Sequence, residues 1–316
     1  MIHTPIVFLI FNRPEPTQRV FEQIAQAQPA RLLVVADGPR NDLEAEKCHQ
    51  ACAVIEQVDW DCEVLTNFSE TNLGCKRRIS SGLDWAFGLC DEAIIIEDDC
   101  LPNPTFFRFC AELLARYRDD ERIALVSGSN FQRGRKRGHG SYYFSHYMHI
   151  WGWASWRRVW KNYDVEMRRW AELRRKNWLE GILGNDAAAH WRISLDKVFD
   201  GSLDTWDLQL SFSNWAHGQL AILPNVNLVS NIGFNEYATH THTDIYGVAN
   251  MICNDMMFPL EHPSEVVCDE EADKFTHEVF FAKEFHPATL RHRIGRKLLA
   301  TLPNPLRTRF QQRRIK

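Results

Sequence analysis

Glu97, Asp98 and Asp99 follow directly on Ile94, Ile95 and Ile96, and Cys100, Leu101 and Pro102 then break the chain direction. An apolar, β-branched run of this length reads as a strand buried on both faces, so the carboxylates emerge together where the strand leaves its sheet. That edge is where open α/β sheets bind ligands. Adjacent carboxylates repel one another and require a divalent cation or a set of hydrogen-bond donors. The chemistry expected of them is metal and phosphate binding. The competing reading is a charged turn after a strand.

Alternating segments lead up to these acids. Pro5 to Phe11 reads as an apolar strand, Glu15 to Gln28 as a helix, and Arg31 to Ala36 as a second strand ending at Asp37, Gly38 and Pro39. Leu43 to Gln57 is helical, Cys62 to Asn67 extended, and Lys76 to Leu89 helical behind Asn72, Leu73 and Gly74. The acidic strand is followed by a helix from Pro104 to about Arg118 and a strand from Ile123 to Ser127. This βαβα order predicts an α/β fold, a mostly parallel sheet flanked by helices. Asn12, Arg13, Asp37, Gly38 and the acidic triplet then fall on one edge of that sheet. No Gly-x-Gly-x-x-Gly follows the first strand and no Gly-x-x-x-x-Gly-Lys-Ser/Thr occurs, which argues against a dinucleotide dehydrogenase or a P-loop phosphotransferase.

Beyond residue 130 the pattern changes. Gln132 to Gly140 is a basic, glycine-containing loop, suited to being mobile or to lying over phosphates. Tyr142 to Trp160 is aromatic, with Trp151, Trp153 and Trp156 close together, and reads either as core or as a stacking floor for a sugar ring. Trp206 to Gln209 opens a helix-like segment, Leu220 to Pro224 and Asn227 to Ser230 are strand-like, and a polar loop beyond Gly233 carries His240 and His242.

The 316 residues suffice for one large α/β domain or a domain with an appended lobe. The nine cysteines are odd in number and scattered, which favours reduced thiols. Cys48 and Cys52 lie four apart, but no second pair stands at zinc-site spacing, so no structural zinc is expected. The start of the chain has no basic leader before its short apolar stretch, and no run approaches the roughly 18 apolar residues of a membrane span. A cytoplasmic protein is the expectation. The net charge of −4 conceals a segment from Arg291 to Lys316 without Asp or Glu, in which Arg and Lys interleave with leucines. It reads as a basic amphipathic tail suited to an anionic membrane surface, or as a solvated, disordered one. No second basic patch with aromatics supports nucleic-acid binding.

The acidic strand end, the Asn72–Gly74 segment opening a helix, the tryptophan-rich block and Trp206–Asp207, in this order, resemble the nucleotide-sugar glycosyltransferases of the GT-A fold. The resemblance is to N-acetylglucosaminyltransferase I and bacterial relatives grouped with family 2, and covers about residues 4 to 245. It implies a GT-A domain over 1–245, with a nucleotide-sugar half over 1–130 and an acceptor half over 131–245. A C-terminal extension over 246–290 and the basic tail over 291–316 follow. It further implies that Asp99 binds Mn²⁺ or Mg²⁺, that Asp98 and Glu97 hold the ribose and a water beyond the metal, and that Asn12, Arg13 and Asp37 line the base and ribose pocket. Lys76, Arg77 or Arg78 would reach donor phosphate or ribose; Lys76 is the first choice. By position Asp207 matches the family's catalytic base, with Asp204 as its neighbour and a helix N-cap as the competing role. His240 and His242, two apart, fall on one side of an extended segment and would meet the metal or the diphosphate. The partners implied are a nucleotide-sugar donor, a UDP-sugar in preference, and a saccharide or glycolipid acceptor such as a bacterial polysaccharide precursor. Two rival readings remain: a sugar-phosphate nucleotidyltransferase, and a non-catalytic carbohydrate-binding protein whose acids hold Ca²⁺.

Overall fold

Every residue of β1 (Ile6–Ile10) is buried, as are Ala93 to Ile96 of the acidic strand, because each of these strands has a strand on either side and helices over the sheet. The computed structural model describes residues 2–234 and 247–281. After β1 come α1 (Pro14–Ala27), β2 (Arg31–Ala36), α2 (Asp42–Ala53), β3 (Glu63–Phe68), α3 (Gly74–Leu89), β4 (Glu92–Glu97), the short β5 (Cys100–Pro102), α4 (Pro104–Arg116) and β6 (Ile123–Ser127). The second half adds β7 (Tyr142–Ser145), β8 (Trp153–Trp156), α5 (Arg157–Trp160), α6 (Trp170–Leu173), α7 (Trp178–Leu183), α8 (Asn185–Phe199), α9 (Asp207–Ala216), β9 (Leu220–Pro224), β10 (Val229–Asn231) and α10 (Glu270–Thr276).

The main sheet has eight strands in the order β3-β2-β1-β4-β8-β6-β9-β7. β1, β2, β3 and β4 are parallel, β6 and β9 run with them, and β8 and β7 run against them. The fold is therefore α/β, with a large, mostly parallel sheet flanked by helices, as the alternating pattern requires. Helix starts follow local chemistry. Asn41 accepts from Glu44 N, Asn103 from Thr105 N and Asp269 from Ala272 N, while Pro14 and Pro104 sit in first turns where no amide partner is needed.

Two expectations change here. The tryptophan-rich block contains β8, an antiparallel strand inserted between β4 and β6, and Trp153, Trp156 and Trp160 are core. Trp151 alone among the block's indoles stays half-buried, with its ring against Phe131 and Phe234. The basic loop does not hang free. Arg135 stacks over Phe275 at 3.9 Å, and the amide of Asn225 donates to the carbonyls of Arg137 and Gly140, so the loop lies against α10 and the end of β9.

A second apolar cluster forms around Met167, Trp170, Leu179, Trp191, Phe212 and Trp215. It gives the helices between β8 and β9 a core of their own. α9 joins the two cores: Trp206 stacks on Trp153 of the sheet while Phe212 and Trp215 enter the helical cluster.

Candidate functional site

Parallel register determines what meets at the sheet edge. Leu9 of β1 pairs with Glu97 of β4 and Ile10 pairs with Ala36 of β2, so the residues just beyond these pairs leave the sheet side by side. Phe11 N donates to Asp98 Oδ2 at 3.1 Å. Arg13, at the start of α1, reaches the same turn, with Nη2 at 2.5 Å from Asp98 Oδ1 and Nη1 at 2.6 Å from Asp99 Oδ2. The acids' partner in this structure is thus Arg13, which the family resemblance implied for the base and ribose pocket.

One guanidinium does not balance three acids. Burial pushes the Glu97 carboxyl well above the carboxylate range; the charge of Asp99 raises it further, Arg13 opposes the rise, and Asp98 and Asp207 add to it. Asp98 is raised too, by burial first, against the pull of Arg13. Arg13 pays a burial cost that Asp98 and Asp99 outweigh, so its guanidinium is held above its ordinary value. A surplus of negative charge on hard oxygen donors is what Mg²⁺ or Mn²⁺ takes as ligands. Arg13 occupies an oxygen of both Asp98 and Asp99, and among the described residues the three acids are not a group whose ligand atoms converge on one point.

A second wall closes over the acids. β10 pairs with β5 in an antiparallel ribbon, and Ile232 N donates to Asp99 O at 2.8 Å. Gly233 N donates to Asn231 Oδ1 at 2.9 Å, which brings the Gly233 backbone onto the Asp99 carboxylate. A Cβ at Gly233 would lie 2.0 Å from Asp99 Oδ2. Gly233→Ala must therefore displace the Asp99 carboxylate, and for a site in which Asp99 holds the metal, the function proposed below, donor binding should weaken about 10–100-fold. Calorimetry of donor binding with and without Mn²⁺ checks it, and unchanged affinity would remove Gly233 from the site.

Asp37 is a buttress. Its carboxylate accepts from Gly38 N at 2.9 Å, Leu73 N at 2.9 Å, Gly74 N at 3.1 Å and Asn72 Nδ2 at 3.0 Å, tying the end of β2 to the start of α3. Burial still raises its pKa, and these hydrogen bonds work against the rise. Arg78 is likewise committed, from Nε to Ala36 O and from Nη2 to Asn67, which closes the ends of β2 and β3. Asn12 donates to Glu44 Oε1 at 3.0 Å. Lys76, in the first turn of α3, has among the described residues a single distant ion pair, with Glu166 at 4.0 Å. A cleft of about 550 Å³ opens beside Asp37, lined by Gly38, Pro39, His49 and Phe68 among others; another of the same size lies along β7, away from the acids.

Asp207 is the first residue of α9, one past the N-cap Trp206, and among the described residues its side chain takes no hydrogen bond from the helix amides. It accepts a hydrogen bond from Thr205 Oγ1 instead. Its charge adds to the repulsion that raises Glu97, and it also raises Cys75 and Tyr163, whose shifts come first from burial. Tyr163 stands against the start of α9, where its hydroxyl donates to Trp206 O at 3.1 Å, and its residue type in its sequence context does not mark it for that place. Asp204 is exposed and lies near Gly74, where a Cβ would be 3.6 Å from its Oδ2. His240 and His242 lie outside the described residues, as does the tail over 291–316.

No protein-family model and no curated protein matches the chain. In structure it is similar to HddC from Yersinia pseudotuberculosis, with TM-score 0.32 and 13% identity over 51% of this chain and 80% of that one. It is also similar to mouse xyloside xylosyltransferase 1, with TM-score 0.34 and 10% identity over 80% of this chain and 96% of that one.

Proposed function

We propose that the chain is a metal-dependent, inverting glycosyltransferase that moves a sugar from a nucleotide diphosphate sugar, a UDP-sugar in preference, to a saccharide or glycolipid acceptor. What supports this reading is the acidic turn Glu97–Asp99 at the end of a buried parallel strand, together with Asp207 at the start of α9, whose charge adds to the rise of Glu97. Asp99 would hold Mn²⁺ or Mg²⁺, with Asp98 and Glu97 beside it and with His240 and His242 as further candidate ligands. The ion supplies Lewis-acid neutralisation of the diphosphate.

The chain's own residues do the rest. Asp207, oriented by Thr205, takes the proton of the acceptor hydroxyl as that oxygen bonds to the anomeric carbon and the bond to the diphosphate oxygen breaks. Lys76 is free to turn toward donor phosphate from the first turn of α3, where a helix N-terminus favours anions. Asp37 serves the donor indirectly by holding residues 72–74, and Asn12 and the cleft beside Asp37 would receive the nucleoside. Trp151 is the indole left to stack on a sugar.

Among the described residues no helix is long and apolar enough to cross a membrane. A cytoplasmic enzyme touching the anionic face of a membrane through 291–316 is the setting proposed. Calorimetry with UDP-, GDP- and CMP-sugars, each with and without Mn²⁺, tests the function. Metal-dependent binding of one nucleotide sugar is the expected result. Binding of none would sink the transferase, and Ca²⁺-dependent binding of free saccharide alone would favour a carbohydrate-binding protein.

A further inference from the structure

A set of convergent ligand atoms lies on the opposite flank of the sheet, with β8, β6 and β9 between it and the acids. His146 follows β7, Cys268 forms a bridge with Phe144 of the same strand, and Asp273 stands in α10. His146 Nδ1 to Cys268 Sγ, Cys268 Sγ to Asp273 Oδ2 and His146 Nδ1 to Asp273 Oδ2 are each 3.1 Å. We propose that His146, Cys268 and Asp273 bind Zn²⁺ and so fasten residues 268–281 to β7.

The convergence argues for a metal and against a nucleophile relay. In a Cys-His-Asp relay the thiol and the carboxylate engage different imidazole nitrogens, so that a proton passes through the ring. Here both touch Nδ1. An ion equidistant from three atoms so spaced lies at least about 1.8 Å from each, and zinc bonds of roughly 2.0–2.3 Å place it just above their plane. Thiolate, imidazole and carboxylate together suit zinc, whereas Mg²⁺ and Mn²⁺ prefer all-oxygen sets such as the acidic turn.

The surroundings hold the ligands in place. Ser145 Oγ donates to Asp273 Oδ1, His146 N donates to Asp273 Oδ2 at 3.0 Å, and Trp215 Nε1 donates to His146 O at 2.6 Å. Such support around ligands raises metal affinity. Without the ion the Cys268 thiol donates to Asp273 Oδ2 at 3.1 Å. Binding exchanges that proton for the metal: the S–H bond breaks, an S–Zn bond forms and H⁺ leaves to solvent. Cys268 and His146 stand 122 residues apart, which is why no short cysteine spacing announces the site.

The test uses the reduced full-length protein, stripped of metal, with ZnCl₂ and CoCl₂ as probes and no donor or acceptor. It therefore stands apart from the transferase reading. We expect one equivalent of Zn²⁺ per chain, retained against excess Mn²⁺, and a thiolate-to-cobalt charge-transfer band with Co²⁺. Cys268→Ser and His146→Ala should lower affinity about 100-fold or more and abolish the band. The double variant Cys48→Ser/Cys52→Ser should keep it. On the wild type, zinc should protect Cys268 from iodoacetamide as read by peptide mass spectrometry, which needs no variant to fold. Absence of binding, a band surviving in Cys268→Ser, or alkylation of Cys268 undiminished by zinc would overturn the proposal.

Discussion

Asp99→Asn should lower sugar transfer about 10³-fold or more while the protein still folds, a loss of the several kcal/mol that a Lewis acid contributes to the transition state. The substitution keeps the shape of the side chain and removes one negative charge. Arg13 then retains Asp98 at 2.5 Å, Ile232 N retains the Asp99 backbone carbonyl, and the contact with Gly233 is preserved. Local structure therefore has every reason to survive. What is lost is the anionic oxygen that a hard cation needs. Removing the charge relieves the repulsion that raises Glu97 but also takes away one of the two carboxylates that balance the buried Arg13, so thermal stability should fall modestly. Asp98→Asn makes the contrast, since Asp98 also accepts from Phe11 N and holds the end of β1. It should cost more stability, as well as activity. The measurements are initial rates of transfer, or of donor hydrolysis, against Mn²⁺ concentration, together with thermal melts. Full activity of Asp99→Asn with an unchanged metal requirement would take the metal away from this turn.

Local chemistry made the first half of the molecule readable. β2 and β6 lie where their apolar runs place them, at Arg31–Ala36 and Ile123–Ser127, and β4 ends on Glu97 as the Ile run implies. A strand buried on both faces has few ways to be written. β8 is different, because its indoles at Trp153 and Trp156 are three apart and do not show the alternation of a half-buried strand; partners on both sides make it a strand. α8 carries apolar residues at Ala188, Trp191, Leu195 and Val198, a helical spacing, yet nothing local says that it forms a second core.

The site shows the same division. That Arg13, Asp37 and the acids share an edge follows from the strand order. Which of them touch does not. Arg13 meets Asp99 across 86 residues, and Asp37 turns toward α3 because four donors surround it there. Gly233 matters only because β10 folds back on β5, a pairing of two three-residue strands too short to carry a sequence signal.

Replacing Asp207 with Asn should reduce transfer by about 10²–10⁴-fold, the range for loss of a positioned general base, and leave donor affinity within a few-fold. Two roles compete for this residue, and they predict different outcomes. A structural acid at the start of α9 would cap its amides, and its loss would cost about 1 kcal/mol of stability. Among the described residues the side chain accepts from Thr205 Oγ1 and not from a helix amide, however, so Asp207→Asn should melt within about 1 kcal/mol of the wild type, the scale of a charge in a helix's first turn. A residue that binds the donor would raise KM or the donor Kd. Asp207 stands instead at the start of α9, its charge adds to the rise of Glu97, and its partner is the hydroxyl of Thr205. Thr205→Val offers a graded control. It removes the hydrogen bond that orients the carboxylate but not the base itself, so kcat should fall less than with Asp207→Asn, with donor affinity again unchanged. If Asp207→Asn instead loses donor binding and transfer together, Asp207 belongs to the donor pocket and the base must be sought elsewhere, with Asp204 beside Gly74 the next residue to replace.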